Sequence, residues 1–541
     1  MRKNSVRALA VIGTVAASLI ALSQIPASAH GGSGSGIGPS TTTKPYVLPV
    51  APGVSTTSLL TVNDAGAAGN GYELVGIPDG IGTRWENGKV VAYVNHELRT
   101  NNGTVRRHGQ RGAFVSKQII DPRTKKVVAG EDLIDPGIQY WNYATGAYAT
   151  TPSPSWTNKD GTTALAQPAE LGRFCSGYLT TPLQLVSRTS LRGYRGQIYF
   201  ANEEVGDEGR VFGVTTDGQA WQLPRLGLFS WENTIAAPNR GDRTVVMGNE
   251  DAATGQVWLY HGTKTYTGGP MDKAGLTNGV NTVLDTVNQA VTTDAEFRTA
   301  YPKGTSAAVT FNEVDWTQGG AAQNAEAAAD GLTLNRIEDG AFDPNNRNDY
   351  YFVTTVGGAG TTVSTDPVTG VNSGRDGGGL WRLRFANVDR PELGGTLTLV
   401  LDGSEPVGAG GFGLNNPDNL TIDDGGNLLI QEDPGANVHL ARIVAYRIRD
   451  AKTAVVAQFD PARFGRDAAI ANPPEFLTMD EESSGIVTTD SQFGRGTYLF
   501  DAQVHTAKNL PPGTGPGTVE EYVENGQLLL LRVGDWKKVY R

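Results

Sequence analysis

The chain has 541 residues, with 45 Lys and Arg against 56 Asp and Glu; the net charge of −11 argues against nucleic acid as a partner, because phosphate backbones are bound by clustered cations. Its single cysteine, Cys175, excludes an internal disulfide, so packing and bound metal must supply stability. Glycine is abundant at 70 residues, and with Thr, Val, Tyr and Trp it fits short strands and tight turns better than helices.

Arg2, Lys3 and Arg7 precede an apolar run over 8–22, and Ala27-Ser28-Ala29 follows. A charged start, a short apolar stretch and an A-x-A site predict a Sec-type secretory signal peptide over 1–29. Residues 30–45 are Gly, Ser, Thr and Pro-rich and read as a flexible linker. No second linker interrupts 46–541, which reads as one domain. Nothing later is apolar enough to span a bilayer, so the expected product is a secreted monomer with no membrane partner.

Apolar runs that end in acid recur along the chain. Run 90–94 leads into Asn95-His96-Glu97, run 198–201 into Asn202-Glu203-Glu204, and run 244–248 into Asn249-Glu250-Asp251. Run 350–355 lacks the terminal acid but follows Glu338-Asp339. Run 428–431 leads into Glu432-Asp433 and run 476–479 into Asp480-Glu481-Glu482. Several are answered by a second apolar run, at 211–214, 257–260, 380–383 and 443–446. Six degenerate strand units at irregular spacing predict an all-β fold, a six-bladed β-propeller. Residues 263–335 read as an insertion over one face, with helices expected near 281–299 and 323–329.

In a propeller these tips converge on one mouth. Glu97, Glu203, Glu204, Glu250, Asp251, Glu338, Asp339, Glu432 and Asp433 would then crowd together, which carboxylates do only when cations intervene. All-oxygen ligands suit Ca²⁺, in more than one copy, and the cations would let an anion bind. One Glu-Asp pair alone usually reads as a solvated turn; the recurrence argues for a shared site. Segments 417–420, 423–427 and 480–485 stay open as turns. Cys175 stays open between an inert buried thiol and a site residue. His96 reads as a packed side chain, and His108, His261, His439 and His505 carry no metal-ligand spacing and are given no role. If extended, Arg336 and Glu338 share one face, a guanidinium beside a carboxylate, and Trp231-Glu232 supplies a further acid.

Asn95-His96-Glu97, Asn202-Glu203-Glu204, Trp231-Glu232, Glu250-Asp251, Arg336-x-Glu338-Asp339-Gly340-x-Phe342-Asp343-Pro344 and Pro417-Asp418-Asn419-Leu420 together resemble the secreted PhoX-type alkaline phosphatases. The resemblance implies a six-bladed propeller with calcium ions and an iron pair in an axial pocket, acting on small phosphate monoesters. It implies Asn95 and Arg336 as the phosphate-binding pair and Glu203, Glu204, Glu232, Glu250 and Glu338 as metal ligands. Where the family places an iron-binding cysteine before the acidic pair, this chain has Asn202, which argues against Fe³⁺. Gly76-Ile77-Pro78-Asp79-Gly80 also resembles calcium-dependent lactonases, an ester-cleaving alternative. A non-enzymatic, calcium-stabilised binding propeller is the alternative from another class.

Overall fold

The computed structural model describes residues 34–357, 376–408 and 412–541, and five of the six apolar runs are strands in it: Lys89–His96, Ile198–Glu203, Arg243–Glu250, Asp349–Thr354 and Asn427–Glu432. The expected signal peptide lies outside the described residues. Each of these strands pairs antiparallel with a less apolar strand just before it: Pro78–Glu86, Phe174–Leu179, Trp231–Ala236, Ile337–Phe342 and Pro417–Ile422. The run at 476–479 departs from expectation. It follows Pro473-Pro474, which offer no backbone donors, and forms no strand. The sixth such strand is Thr497–Val504, buried throughout and paired with Glu481–Glu482 and Ile486–Thr488.

These second strands read as continuous apolar runs because both of their faces are covered. Val90, Ala92 and Val94 pack with Leu499 and Leu528, while Val91 and Tyr93 pack with Tyr199 and Phe212. Tyr350 and Phe352 meet Val245 and Met247, while Tyr351 and Val353 meet Leu428 and Ile430. The remaining seams join Phe200 to Val246 and Leu429 to Phe500. Followed from sheet to sheet, the six seams close a circle, the radial packing of a propeller.

Two neighbouring four-strand groups are joined at their outer edges into one nine-stranded sheet, because Ser306–Val314 pairs with Gly395–Asp402. Residues 263–335 are therefore only partly an insertion, since Val280–Thr286 and Ser306–Val314 continue the sheet. The helix expected near 281–299 is confined to Asp294–Ala300, because Thr282 and Val283 are β-branched and prefer the pleated surface. The second expected helix forms as Gly320–Asp330.

The circle is closed by both ends of the chain. Val54–Thr61 adds to Asn525–Val533, and Ser35–Ile37 lies parallel on its outer side. The stretch expected to be a flexible linker is thus held from residue 34 onward. Ser40 Oγ accepts the Val127 N–H at 3.0 Å, and Asp64 accepts the N–H groups of Thr42 and Thr43 at 2.8 and 3.0 Å.

Candidate metal centre

At one end of the circle, the first residue of every innermost strand pairs with the last residue of its second strand. The pairs are Pro78 with His96, Phe174 with Glu203, Trp231 with Glu250, Ile337 with Thr354, Pro417 with Glu432 and Glu481 with Val504. Just beyond each pair the inner strand carries one extra residue, a β-bulge that re-aims the side chain beside it. In the last sheet the same excess falls between Glu482 and Ile486, opposite Gln503 and Phe500. The second residues of the inner strands, Asp79, Cys175, Glu232, Glu338, Asp418 and Glu482, are thereby brought toward the axis.

A second set follows the second strands: Glu97, Glu204, Asp251, Thr355, Asp433 and His505. Each donates its backbone N–H to the residue before the neighbouring inner strand, to Ile77, Arg173, Ser230, Arg336, Asn416 and Asp480, at 2.9–3.0 Å. Four of those acceptors, Ile77, Arg173, Arg336 and Asn416, sit at φ +40 to +51°, a strained region for side-chain-bearing residues that concentrates at functional sites.

The ligand atoms of Asp79, Glu97 and Cys175 lie within 4.8 Å of one another, as do those of Cys175, Glu204 and Glu232. The same holds for Glu232, Glu338 and Asp418, and for Asp418, Asp433 and Glu482. Cys175, Glu232 and Asp418 each belong to two groups, so the four groups form one continuous belt. Burial first, and neighbouring carboxylates second, push Asp79, Glu232, Glu338 and Asp418 well above the ordinary carboxyl range. By the same causes Glu204 rises to about 8 and Glu482 to about 7. Burial likewise raises the Cys175 thiol. Asp79 Oδ1 and Glu232 Oε1 are buried with no hydrogen-bond partner. A belt of buried acids with orphaned oxygens is a donor set that could hold a metal ion.

Two guanidiniums border the belt. Arg336 grips Asp251 through Nε and Nη2 at 2.9 and 3.0 Å and reaches Glu338 at 3.1 Å. Arg173 reaches Glu97 at 2.6 Å and also pairs with Glu204. His505, given no role from sequence, lies 2.8 Å from Glu524 and 3.5 Å from Glu482.

Of the acids expected to converge, Glu97, Glu204, Glu232, Glu338 and Asp433 meet in the belt. The others do not join its groups; alternation along a strand sets one acid of an adjacent pair toward the mouth and the other toward a neighbouring strand, and Asp251 is taken up by Arg336. Glu203 is instead paired with buried Arg210, at 2.5 Å to Nε and 2.8 Å to Nη2. Glu250 accepts from Trp258 Nε1 and the Gln256 N–H, both at 2.9 Å. Glu432 is engaged by Arg442 at 2.7 and 2.6 Å. Asp339 holds Asn233 at 2.6 Å and the Leu420 N–H at 3.1 Å, and Asp251 serves Arg336. Asn95, expected to hold phosphate, is fully buried: its amide donates to the Cys175 and Ser176 carbonyls at 2.6 and 3.3 Å, and Tyr199 donates to its oxygen. It braces the bulge that carries Cys175. Asn202, at the matching position, likewise donates to Ser176 O at 2.6 Å.

Sequence reasoning missed Asp79 and Arg173, and left Cys175, Asp418 and Glu482 open. Asp79 and Asp418 stand in Pro-Asp pairs opening weakly apolar strands, a signal that is legible only once the second strands are recognised as the middle of each sheet.

Compared with known families, residues 199–463 match the model described as alkaline phosphatase PhoX. Among solved structures, Pseudomonas fluorescens PhoX in complex with vanadate is similar at TM-score 0.59 and 13% identity, covering 92% of this chain and 99% of that one. A putative 6-phosphogluconolactonase from Bacteroides uniformis is similar at TM-score 0.26 and 12% identity, over 68% of this chain and 80% of that one. No curated protein sequence matches the chain.

Proposed function

We propose, from the premise that this chain is a member of the PhoX-type alkaline phosphatase family, that it hydrolyses small phosphate esters at a cation-loaded belt in the axial mouth. The observation that carries this reading is the repetition itself: six register-equivalent bulges supply one belt side chain each, and two of the oxygens have no partner within the protein.

Ca²⁺ would be held by the all-oxygen groups, Glu232 with Glu338 and Asp418, and Asp418 with Asp433 and Glu482. The two groups containing Cys175 add a soft thiolate to carboxylates and suit a transition metal such as iron. The case against iron rested on Asn202; the thiol reaches the belt from the neighbouring strand instead. When bound, the cations supply Lewis-acid polarisation of the phosphoryl oxygens and an activated water. The protein's own part is positional. Arg336, charged and bridging Asp251 and Glu338, presents its fork to the non-bridging oxygens of the phosphoryl group. Its ion pairs with Asp251 and Glu338 fix the direction of that fork. Asn95 acts through the strand, holding the Cys175 and Ser176 carbonyls rather than the substrate. The signal-peptide pattern at 1–29 supports export before the belt is loaded.

The test is turnover of an aryl phosphate by metal-loaded and chelator-stripped protein. Loaded protein cleaves the ester and stripped protein does not, and Arg336→Ala lowers kcat/KM about a hundredfold while retaining calcium. An aryl phosphate left intact at every metal load removes the proposal.

A further inference from the structure

Arg173 and Arg336 occupy the same place in the repeat, each just before an inner strand, and each accepts a backbone N–H from the residue after its second strand. Ser230 holds that place on the strand between them, and the other equivalents, Ile77, Asn416 and Asp480, are not cationic. Both arginines keep left-handed backbones, at φ +40 and +51°. Their side chains are 32 and 35% exposed while the acids beneath are nearly sealed, so both guanidiniums keep an open side at the mouth. They share no partner: Arg173 faces Glu97 and Glu204, and Arg336 faces Asp251 and Glu338.

Resting on the phosphatase reading, we propose that Arg173 is a second substrate-anchoring residue that takes a second anionic group of the substrate. A phosphoryl group held by Arg336 beside Glu338 leaves Arg173 unengaged, two inner strands away round the circle, beside the groups that contain Glu97 and Glu204. When cations take up the charge of Glu97 and Glu204, the Arg173 fork is free for a planar or tetrahedral anion. Nε remains tied to the Glu204 carbonyl at 3.0 Å, which keeps the guanidinium in place as the carboxylates change partners. The favoured substrate class is therefore phosphate esters with a further anionic group, such as diphosphates, over esters with one.

The experiment measures binding rather than turnover. Pyrophosphate and inorganic phosphate are titrated by calorimetry into calcium-loaded wild type, Arg173→Gln and Arg173→Lys, with metal content measured in each. The proposal expects Arg173→Gln to lose at least tenfold in pyrophosphate affinity and several-fold less for phosphate, with Arg173→Lys intermediate and metal content unchanged. Equal losses for both anions, no loss for either, or metal depletion in both variants would overturn it, the last making Arg173 a brace for its carboxylates. Aryl phosphate turnover by the wild type is measured separately. Selective pyrophosphate loss in a protein without turnover upholds the anchor while the phosphatase reading falls.

Discussion

Glu203 and Glu204 are neighbours in sequence that belong to different structures: Glu203 is locked on Arg210 inside the sheet packing, and Glu204 opens onto Arg173 and the belt. The same division separates Glu432, on Arg442, from Asp433 in the belt. One acid of each pair is structural and the other is available to a cation.

Arg210 is accordingly a stability residue. It satisfies Glu203 and also donates to the Pro168 and Glu170 carbonyls at 2.7 and 3.0 Å, fully buried. Arg210→Met leaves a buried carboxylate unpaired and is expected to cost about 3–5 kcal/mol in urea unfolding. Metal content of the folded variant stays at the wild-type level; depletion would return Glu203 to the ligand set.

Glu232 and Glu97 differ in how many cation groups they serve. Glu232 belongs to two and Glu97 to one. Glu232→Gln is expected to lose about two equivalents of bound metal and Glu97→Gln about one, by elemental analysis after dialysis. Equal losses from the two variants would contradict a continuous belt.

Cys175 contributes the belt's thiol. Cys175→Ser keeps the size and burial of the side chain and is expected to fold with a melting temperature within a few degrees of wild type in the presence of calcium. It should retain calcium and lose transition metal, because the hydroxyl is a poor soft-metal ligand. Identical iron content in the two proteins would take Cys175 out of the site.

His108 gives the fold an acid sensitivity remote from the belt. Burial lowers it to about 4, with both ring nitrogens unpartnered. The folded state refuses a proton that the unfolded chain accepts near its ordinary value, so stability falls as pH drops from about 6.5 toward 4, by about 3 kcal/mol in all. His108→Leu should flatten that part of the stability curve, measured by urea unfolding at pH 7 and pH 4.5; an unchanged slope would show that His108 is charged in the native state.

The second strands were legible because both of their faces are covered, and runs such as 90–94 and 350–354 are apolar throughout. The inner strands were not, because they line the axis: Pro78-Asp79-Gly80 and Phe174-Cys175-Ser176-Gly177 carry small and polar residues with little strand signal. Adjacent acids also gave no hint of which one faces the mouth, since that follows from pairing register. Cys175 illustrates the limit: it is distant from Glu204 in sequence, and only the pairing of Phe174 with Glu203 brings thiol and carboxylate together. A cysteine directly before the acidic pair would share its strand, whereas the thiol comes from the strand beside it.

The sheet that carries Glu482 is completed by strands from opposite ends of the chain, Val54–Thr61 lying on Asn525–Val533. A nascent polypeptide that stops short of Asn525 therefore has no last sheet on which to seat Thr497–Val504, and Glu482 lacks its place beside Asp418 and Asp433. That group is assembled only after Asn525–Val533 has been made, and trimming either tail is expected to dismantle it without touching any of its three side chains.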